Sequence, residues 1–412
     1  MKFSDYQIDD KLKDNLQILG FKRPTDIQYR AIYPVLKGDD VFAIAQTGTG
    51  KTAAFVIPVL QHLIAMQHTR AKEGVKCIVM APTHELAQQI NRVFEQIGKG
   101  TGIQSVAVIG GVEQDSQVKK LNNGAEIVVA TPGRLFDLCH QGYLKLDAVK
   151  ILVLDEADHM LAMGFGKDVS DLIRKIPAKR QTLFFSATIN PEIKKLAYNV
   201  VKNAIRIEIS PKERISKNIS HSIVFVEMDH KRFFLERLIT QNPDFKIMVF
   251  VRTRVRAERV AAAMERVQIK TLTMHGEKDH EQRNLALTAF RNSECNILIA
   301  TDVSARGIDI PQIDLVVNYD MPDVPENYIH RIGRTGRGTH KGTAYSFCSS
   351  EEKDFLAEIQ EYIDTEIDVI NIDYNSYQDT LDFTNDTGVN NWKKLIQDAE
   401  KQEYKPKKKK KK

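Results

Sequence analysis

Short runs of apolar, often β-branched residues recur along the chain, and longer polar or amphipathic stretches separate them. In the first half the runs are Val41–Ala45, Cys77–Ala81, Ser105–Ile109, Glu126–Ala130, Ile151–Leu154, Gln181–Phe185 and Ile205–Ile209. In the second half they are Ile219–Val226, Lys246–Val251, Thr271–Met274, Asn296–Ala300, Leu315–Asn318 and Gly342–Cys348. Most are continuously apolar rather than alternating, which predicts strands of a parallel sheet covered on both faces. The stretches between them predict helices; Arg254–Val267, rich in Ala, Arg and Glu, is one, and Glu351–Tyr362 predicts another that closes the second half.

The two halves echo each other. Ile127-Val128-Val129-Ala130-Thr131-Pro132 resembles Ile297-Leu298-Ile299-Ala300-Thr301-Asp302: a strand ending in Ala-Thr, then a polar turn containing arginine. The pattern predicts an α/β chain of two doubly wound domains, with ligands at the strand C-termini. The expected boundaries are a first domain over 1–209, a polar linker over 210–218, a second domain over 219–365, and a mobile tail over 366–412. Within the tail, Asn391–Lys401 around Trp392 has a short helix-like pattern.

Composition changes this picture little. A length of 412 residues with 42% hydrophobic residues suffices for two buried cores. The formal charge is +5, and the run Lys407 to Lys412 alone contributes six positive charges, so the body of the chain is close to neutral. A lysine cluster releases counterions when it meets phosphates, so the tail is a candidate nucleic-acid contact, with a solubilising end as the plainer alternative. Cys77, Cys139, Cys295 and Cys348 have no zinc-like spacing and read as small buried hydrophobes. The start at Met1 has no signal-peptide pattern and no uncharged stretch is long enough for a bilayer, so a cytoplasmic protein without a membrane partner is expected.

The candidate chemistry begins with Ala45-Gln46-Thr47-Gly48-Thr49-Gly50-Lys51-Thr52, which follows an apolar run and precedes the helix-like Ala53-Ala54-Phe55-Val56. This is a phosphate loop, with Ala45 where the strict pattern has Gly. Glycines let the backbone approach phosphates, a helix N-terminus attracts them, and Lys51 and Thr52 can serve the β/γ-phosphates and Mg²⁺. Asp155-Glu156-Ala157-Asp158 follows Ile151-Leu152-Val153-Leu154. There Asp155 would help hold the same Mg²⁺, and Glu156 would orient and deprotonate a water. Late in the chain, His330-Arg331-Ile332-Gly333-Arg334-Thr335-Gly336-Arg337 supplies arginines for the same phosphates.

Taken in order, these motifs resemble the DEAD-box RNA helicases. Gly20-Phe21-Lys22-Arg23-Pro24-Thr25-Asp26-Ile27-Gln28 is similar to the family's adenine-reading motif. The phosphate loop, Pro82-Thr83-His84-Glu85-Leu86-Ala87, Gly110-Gly111, Thr131-Pro132-Gly133-Arg134, the acidic tetrad and Ser186-Ala187-Thr188 follow in family order. So do Val249-Phe250-Val251-Arg252-Thr253, His275-Gly276-Glu277, the segment from Ala300 to Asp309 and the arginine-rich segment. The resemblance implies two RecA-like domains and an ATP site of Phe21, Gln28, Gln46, Thr47, Gly48, Thr49, Gly50, Lys51, Thr52 and Asp309. Lys51, Asp155, Glu156, Arg334 and Arg337 would be the catalytic set, with Thr52 and Asp155 on the metal. Phe21 is equally well read as a core aromatic. Ser186, Thr188, Asp158 and His330 would couple the ATP site to RNA, with turn capping as the alternative for the two hydroxyls. Thr83, Gly111, Thr131, Gly133, Arg134, Arg252, Gly276 and Thr301 would grip the RNA backbone without reading bases.

Two positions depart from the family pattern: His84 stands where Arg is usual, and His280 where Gln is usual, while Arg283 is retained. The expected activity is RNA-stimulated hydrolysis of ATP with local, non-processive unwinding of short duplexes or remodelling of RNA–protein complexes, by a monomer. An ATP-gated RNA clamp, a DNA helicase and a metabolic ATPase are the rival readings. The compact core and lysine-ended tail are similar to the bacterial RhlE-like branch, which would suggest ribosomal or mRNA-decay complexes as partners.

Overall fold

The computed structural model describes residues 1–46, 48–67, 74–209, 215–302, 313–336 and 340–383. The first lobe carries β1 (Val41–Ala45), β2 (Cys77–Met80), β3 (Ser105–Val108), β4 (Ile127–Ala130), β5 (Ile151–Leu154), β6 (Gln181–Ser186) and β7 (Ile205–Ile209). The second carries β8 (Ile219–Phe225), β9 (Ile247–Val251), β10 (Leu272–Met274), β11 (Ile297–Thr301), β12 (Leu315–Asn318), β13 (Gly342–Cys348) and β14 (Asp368–Val369). Each set forms one seven-stranded sheet, in the order β3-β4-β2-β5-β6-β1-β7 and β10-β11-β9-β12-β13-β8-β14. All pairings are parallel, for example Val41 beside Leu183 and Ile247 beside Ile297. Helices cross between the strands on both faces, the tandem RecA-like arrangement that the apolar runs predict.

The continuous runs have a simple cause. In β1, Val41, Ala43 and Ala45 pack into one core layer, while Phe42 and Ile44 pack into the layer on the opposite face. In β9, Met248 and Phe250 face one layer while Ile247, Val249 and Val251 face the other. Side chains alternate as in any strand, but neither face meets water, so no polar position is needed.

Strand order also sorts the candidate chemistry. The phosphate loop, the acidic tetrad and Ser186-Ala187-Thr188 follow β1, β5 and β6, neighbours on one side of the first sheet. Thr83, Gly111 and Thr131 follow β2, β3 and β4, on the other side. In the second sheet, Arg252, Gly276 and Thr301 stand at the ends of β9, β10 and β11, again on one side, and the arginine-rich segment begins in the last turn of the Pro325–Ile332 helix after β12. Both sets lie at strand C-termini, the usual ligand edge of such sheets.

The fold continues past the point where sequence places the tail. β14 pairs with β8, through Asp368 beside Ser222 and Val369 beside Ile223. The Tyr374–Asp382 helix then packs on the Lys231–Gln241 helix, with Tyr377 against Phe234 at 4.9 Å between ring centres. Residues 366–383 therefore belong to the second lobe rather than to a mobile tail. Trp392 and the lysine run lie outside the described residues. All four cysteines are free; Cys77, Cys295 and Cys348 are buried and Cys139 partly so. No described helix is long and apolar enough to cross a membrane.

Candidate functional site

The phosphate loop bends over the end of β1 into the Lys51–Gln67 helix, and Gly48 and Gly50 take left-handed backbone angles, φ 81° and 93°. Its shape is held from inside and from the Gln28 segment. Thr49 Oγ1 donates to the Gln46 carbonyl (2.7 Å), Thr25 Oγ1 to the Thr49 carbonyl (2.7 Å), and Gln28 Nε2 to the Gly50 carbonyl (3.1 Å). Gln28 Oε1 accepts from the Thr25 amide (2.9 Å), closing the capping box of its own helix. A Cβ at position 50 would collide with the Gln28 amide, so glycine is required there on steric grounds as well as for its φ. Phe21 is half-buried at the rim of the core, edge-on to Phe3 at 5.6 Å. Thr47 lies outside the described residues.

Lys51 is 6% exposed, and its Nζ has no hydrogen-bond partner among the described residues. A buried ammonium without a partner is costly, and an anion would relieve that cost. Asp155 and Glu156 are buried beside it. Burial pushes the Asp155 carboxyl up to about 6; Lys51 opposes the rise and Glu156 adds to it. For Glu156 burial again opposes ionisation, but His159, Lys51 and Arg334 outweigh it and hold the carboxyl at about 2. His159 Nδ1 lies 3.5 Å from Glu156 Oε2, near enough for charge but long for a hydrogen bond. The charges around Glu156 thus favour its ionised form. It sits at φ 50°, ψ 50°, a left-handed conformation costly for a residue with a side chain, and its amide is held by Asp155 Oδ1 at 3.0 Å.

Arg334 contributes from the other lobe. It is 4% exposed, donates through Nε to the His330 carbonyl (3.2 Å), and its charge helps depress the Glu156 carboxyl. A cavity of about 210 Å³ lies between the lobes, lined by Gln46, Gly48 and Thr49 on one side and His330, Gly333 and Gly336 on the other. Arg337 and Asp309 lie outside the described residues.

Among the described residues no cluster of three or more His, Cys, Asp or Glu could cage a metal. One hydroxyl, Thr52, directly after Lys51, and one buried carboxylate, Asp155, on which the Lys51 charge acts, match the sparse protein ligation that Mg²⁺ favours.

The proposed coupling group is partly assembled. Asp158 Oδ2 accepts from the amides of Ala187 (3.1 Å) and Thr188 (3.0 Å) and from Thr188 Oγ1 (3.1 Å). Ser186 Oγ instead donates to the Thr188 carbonyl (2.8 Å), which is turn capping. His330 lines the cavity with Ala187 and Thr188.

On the opposite side, Thr83 caps the His84–Ile97 helix through the Leu86 amide (3.3 Å), and Thr131 stands at the N-cap of the Pro132–His140 helix. Arg134, in the first turn of that helix, donates to the Val112 carbonyl (3.4 Å), next to Gly111, whose φ is 68°. The His84 ring lies against Gly110. Gly276 has open space where a side chain would stand.

Sequence reasoning did not find the supports behind these groups. Arg252 has its amide on Asp320 Oδ2 (3.1 Å) and its guanidinium 3.4 Å from Glu352 Oε1 and over the Phe355 ring. Glu352 also takes Lys231 Nζ and the Met321 (3.2 Å) and Ser349 (3.1 Å) amides. Arg331, inside the arginine-rich segment, turns away from the cleft; it clamps Asp302 with two bonds (2.6 and 2.7 Å) and donates to the Asp320 carbonyl (2.7 Å). Only Arg331 had a local signal, its place among the other arginines.

Comparison with known proteins agrees with this geometry. The DEAD/DEAH box helicase family model matches residues 25–196, and the helicase conserved C-terminal domain matches 230–339. The chain is 37% identical over 367 residues to the ATP-dependent RNA helicase eIF4A of Pyricularia oryzae, covering 89% of this chain and 91% of that protein. It is 40% identical to the ATP-dependent RNA helicase DBP3 of Lodderomyces elongisporus, covering 82% of this chain and 64% of that longer relative. The S. cerevisiae Dbp5 structure bound to RNA and ADP BeF3 superposes with a TM-score of 0.82 at 30% identity, over 97% of this chain and 99% of that one. These relatives carry several names and do not single out the RhlE-like branch. The chain belongs to the DEAD-box family of ATP-dependent RNA helicases.

Proposed function

We propose that the chain hydrolyses ATP between its lobes when RNA lies across both, and that this closure separates short duplexes locally or remodels RNA–protein complexes. The observation that carries the reading is that the two lobes line one cavity, with Gln46, Gly48 and Thr49 of the phosphate loop facing His330, Gly333 and Gly336 of the second lobe. Lys51 meets the β/γ-phosphates, Gln28 reads the adenine edge, and Phe21 flanks the ring. Thr52 and Asp155 would hold Mg²⁺, which would neutralise charge on the phosphate oxygens. Glu156, ionised and held at a fixed angle, orients the water and takes its proton. Arg334, with Arg337 and Asp309 from the same lobe, completes the shell around the nucleotide. Such an arginine is worth about 10³–10⁵ in rate in other phosphoryl-transfer enzymes. Both halves of the shell come from one chain, so a monomer suffices.

RNA binds on the other side of the strand ends, through Thr83, Gly111, Thr131, Gly133, Arg134, Arg252, Gly276 and Thr301. Hydroxyls, backbone amides and arginines hold phosphates without reading bases, so binding is sequence-tolerant. Asp158 and Thr188, with His330 facing them, link the two sides. Closure needs both lobes in register, and ligands drive it only by binding the closed form better than the open one.

Glu156→Gln tests the reading. It should retain ATP and RNA binding and lose ATPase by at least about 10²-fold, the lower end expected for a general base. Normal turnover would remove Glu156 from that role. Displacement of a short RNA duplex separates the helicase from an ATP-gated clamp, and a DNA oligomer of the same sequence tests the preference for RNA.

A further inference from the structure

We propose a second phosphate-binding stretch for RNA, in the cleft between the Lys231–Gln241 and Arg254–Arg266 helices, which takes the strand as it leaves Arg252. The proposal rests on Arg252 being an RNA contact. The cleft has a volume of about 550 Å³ and is lined by Arg232 from one helix and Arg256, Arg259 and Arg266 from the other. The second helix starts directly after Arg252-Thr253, and along its 13 residues the arginines run from beside Arg252 to about 20 Å beyond it, at 1.5 Å per residue. Arg256, Arg259 and Arg266 are three and seven positions apart, a spacing that keeps them on one helix face.

The charges of this helix are sorted by face. Its carboxylates Glu258 and Glu265 line a different groove with Lys270 and Lys278, and Glu258 already meets His275 and Lys278. In the arginine cleft the lining carboxylate is Asp229. Asp320 lies buried beneath it, engaged with the Arg252 amide and with Arg256 Nε at 3.0 Å. One buried carboxylate therefore fixes both the last residue of the RNA face and the first arginine of the cleft. Arg259 is exposed and has no ion-pair partner among the described residues. Guanidinium groups suit phosphate because they donate two parallel hydrogen bonds. Of the cleft's rings, Phe233 and Tyr319 are buried, and the half-buried His230 is engaged through Nδ1 with Tyr377 Oη. That combination fits a strand's phosphates and predicts no sequence preference.

The test compares the shortest oligoribonucleotide that fully stimulates the ATPase with the same oligomer extended at its 5′ or its 3′ end by a run long enough to follow the helix. One extension should tighten binding to the full-length protein. Arg259→Glu/Arg266→Glu should cancel that gain, weakening the extended RNA roughly ten-fold. It should also reduce its salt slope by about 1.4 if two phosphates are lost. ATPase stimulation and affinity with the short oligomer should stay unchanged, as they should for Lys202→Glu as a charge control. If the short oligomer is equally affected, or if neither extension responds to the variant, the second stretch does not exist and the cleft is left to another anion such as an acidic peptide. Failure of Arg252→Ala to weaken the short oligomer would instead sink the RNA face from which the proposal starts.

Discussion

Glu352 is 1% exposed and shares its buried space with the fully buried Lys231, the guanidinium of Arg252 and two backbone amides. Burial alone would pull the Lys231 ammonium down from its usual range, and the Glu352 charge opposes that shift. Removing one member of such a pair strands the other. Glu352→Ala should therefore cost about 3–5 kcal/mol in urea unfolding of the second lobe. Lys231→Met/Glu352→Gln should recover most of it, since the amide oxygen can still accept from Met321 and Ser349. The recovered double variant should still show weakened RNA stimulation, because Arg252 has lost its charged support. A double variant with normal RNA stimulation would show that Glu352 only holds the fold. None of this was legible along the chain: Lys231 and Glu352 are 121 residues apart, and an isolated glutamate near a helix start reads as a solvated cap. Gln28 shows the opposite case. Its motif is visible in the sequence, but its bond to the Gly50 carbonyl depends on a turn that only the folded loop brings near. Gln28→Ala should raise KM for ATP and relax the preference for adenine, and an unchanged ratio of ATP to GTP use would reject its reading role.

At the scale of elements, thirteen strands fall within a residue of the apolar runs: central strands such as β1, β5, β9 and β12 are covered on both faces and apolar throughout, while β7 and β8, partly exposed, keep enough β-branched positions to be read. The one that escaped, β14, is two residues long and exposed at the sheet edge, so it leaves no hydrophobic signature. The Tyr374–Asp382 helix escaped for a related reason: its docking runs through single side chains. Tyr377 Oη meets His230 Nδ1 (3.0 Å) and the Glu227 amide (3.2 Å), and Arg237 donates to the Ser376 carbonyl (3.2 Å). Truncation distinguishes a docked helix from a loose tail. Ending the chain after 383 should leave the unfolding midpoint of the second lobe unchanged. Ending it after 365 should lower stability by about 2–4 kcal/mol, the scale of losing a buried aromatic and its apolar neighbours. Equal stability of the two truncations would return 366–383 to the tail.

For the whole molecule, the order of motifs was readable because each sits at a strand end, and strand order then carries the groups proposed for nucleotide to one side and those proposed for RNA to the other. The meeting of the lobes was less readable, since it depends on pairs that join distant segments. Arg283 Nη1 lies 3.1 Å from Glu85 Oε1, joining the second lobe to the helix that follows Thr83; both side chains are largely buried. This contact exists only while the lobes are together. Its loss should therefore leave binding to each lobe alone intact and act on closure. Arg283→Met should bind RNA without nucleotide as the native chain does, while the tightening of RNA by a non-hydrolysable ATP analogue shrinks by about ten-fold, or ~1.4 kcal/mol. Linkage requires the same factor to appear in the tightening of the analogue by RNA. Glu85→Arg/Arg283→Glu should restore part of both, because the pair is re-formed with its charges exchanged. If instead Arg283→Met weakens RNA binding equally with and without analogue, the ion pair supports the RNA face itself and closure must be held elsewhere along the cleft.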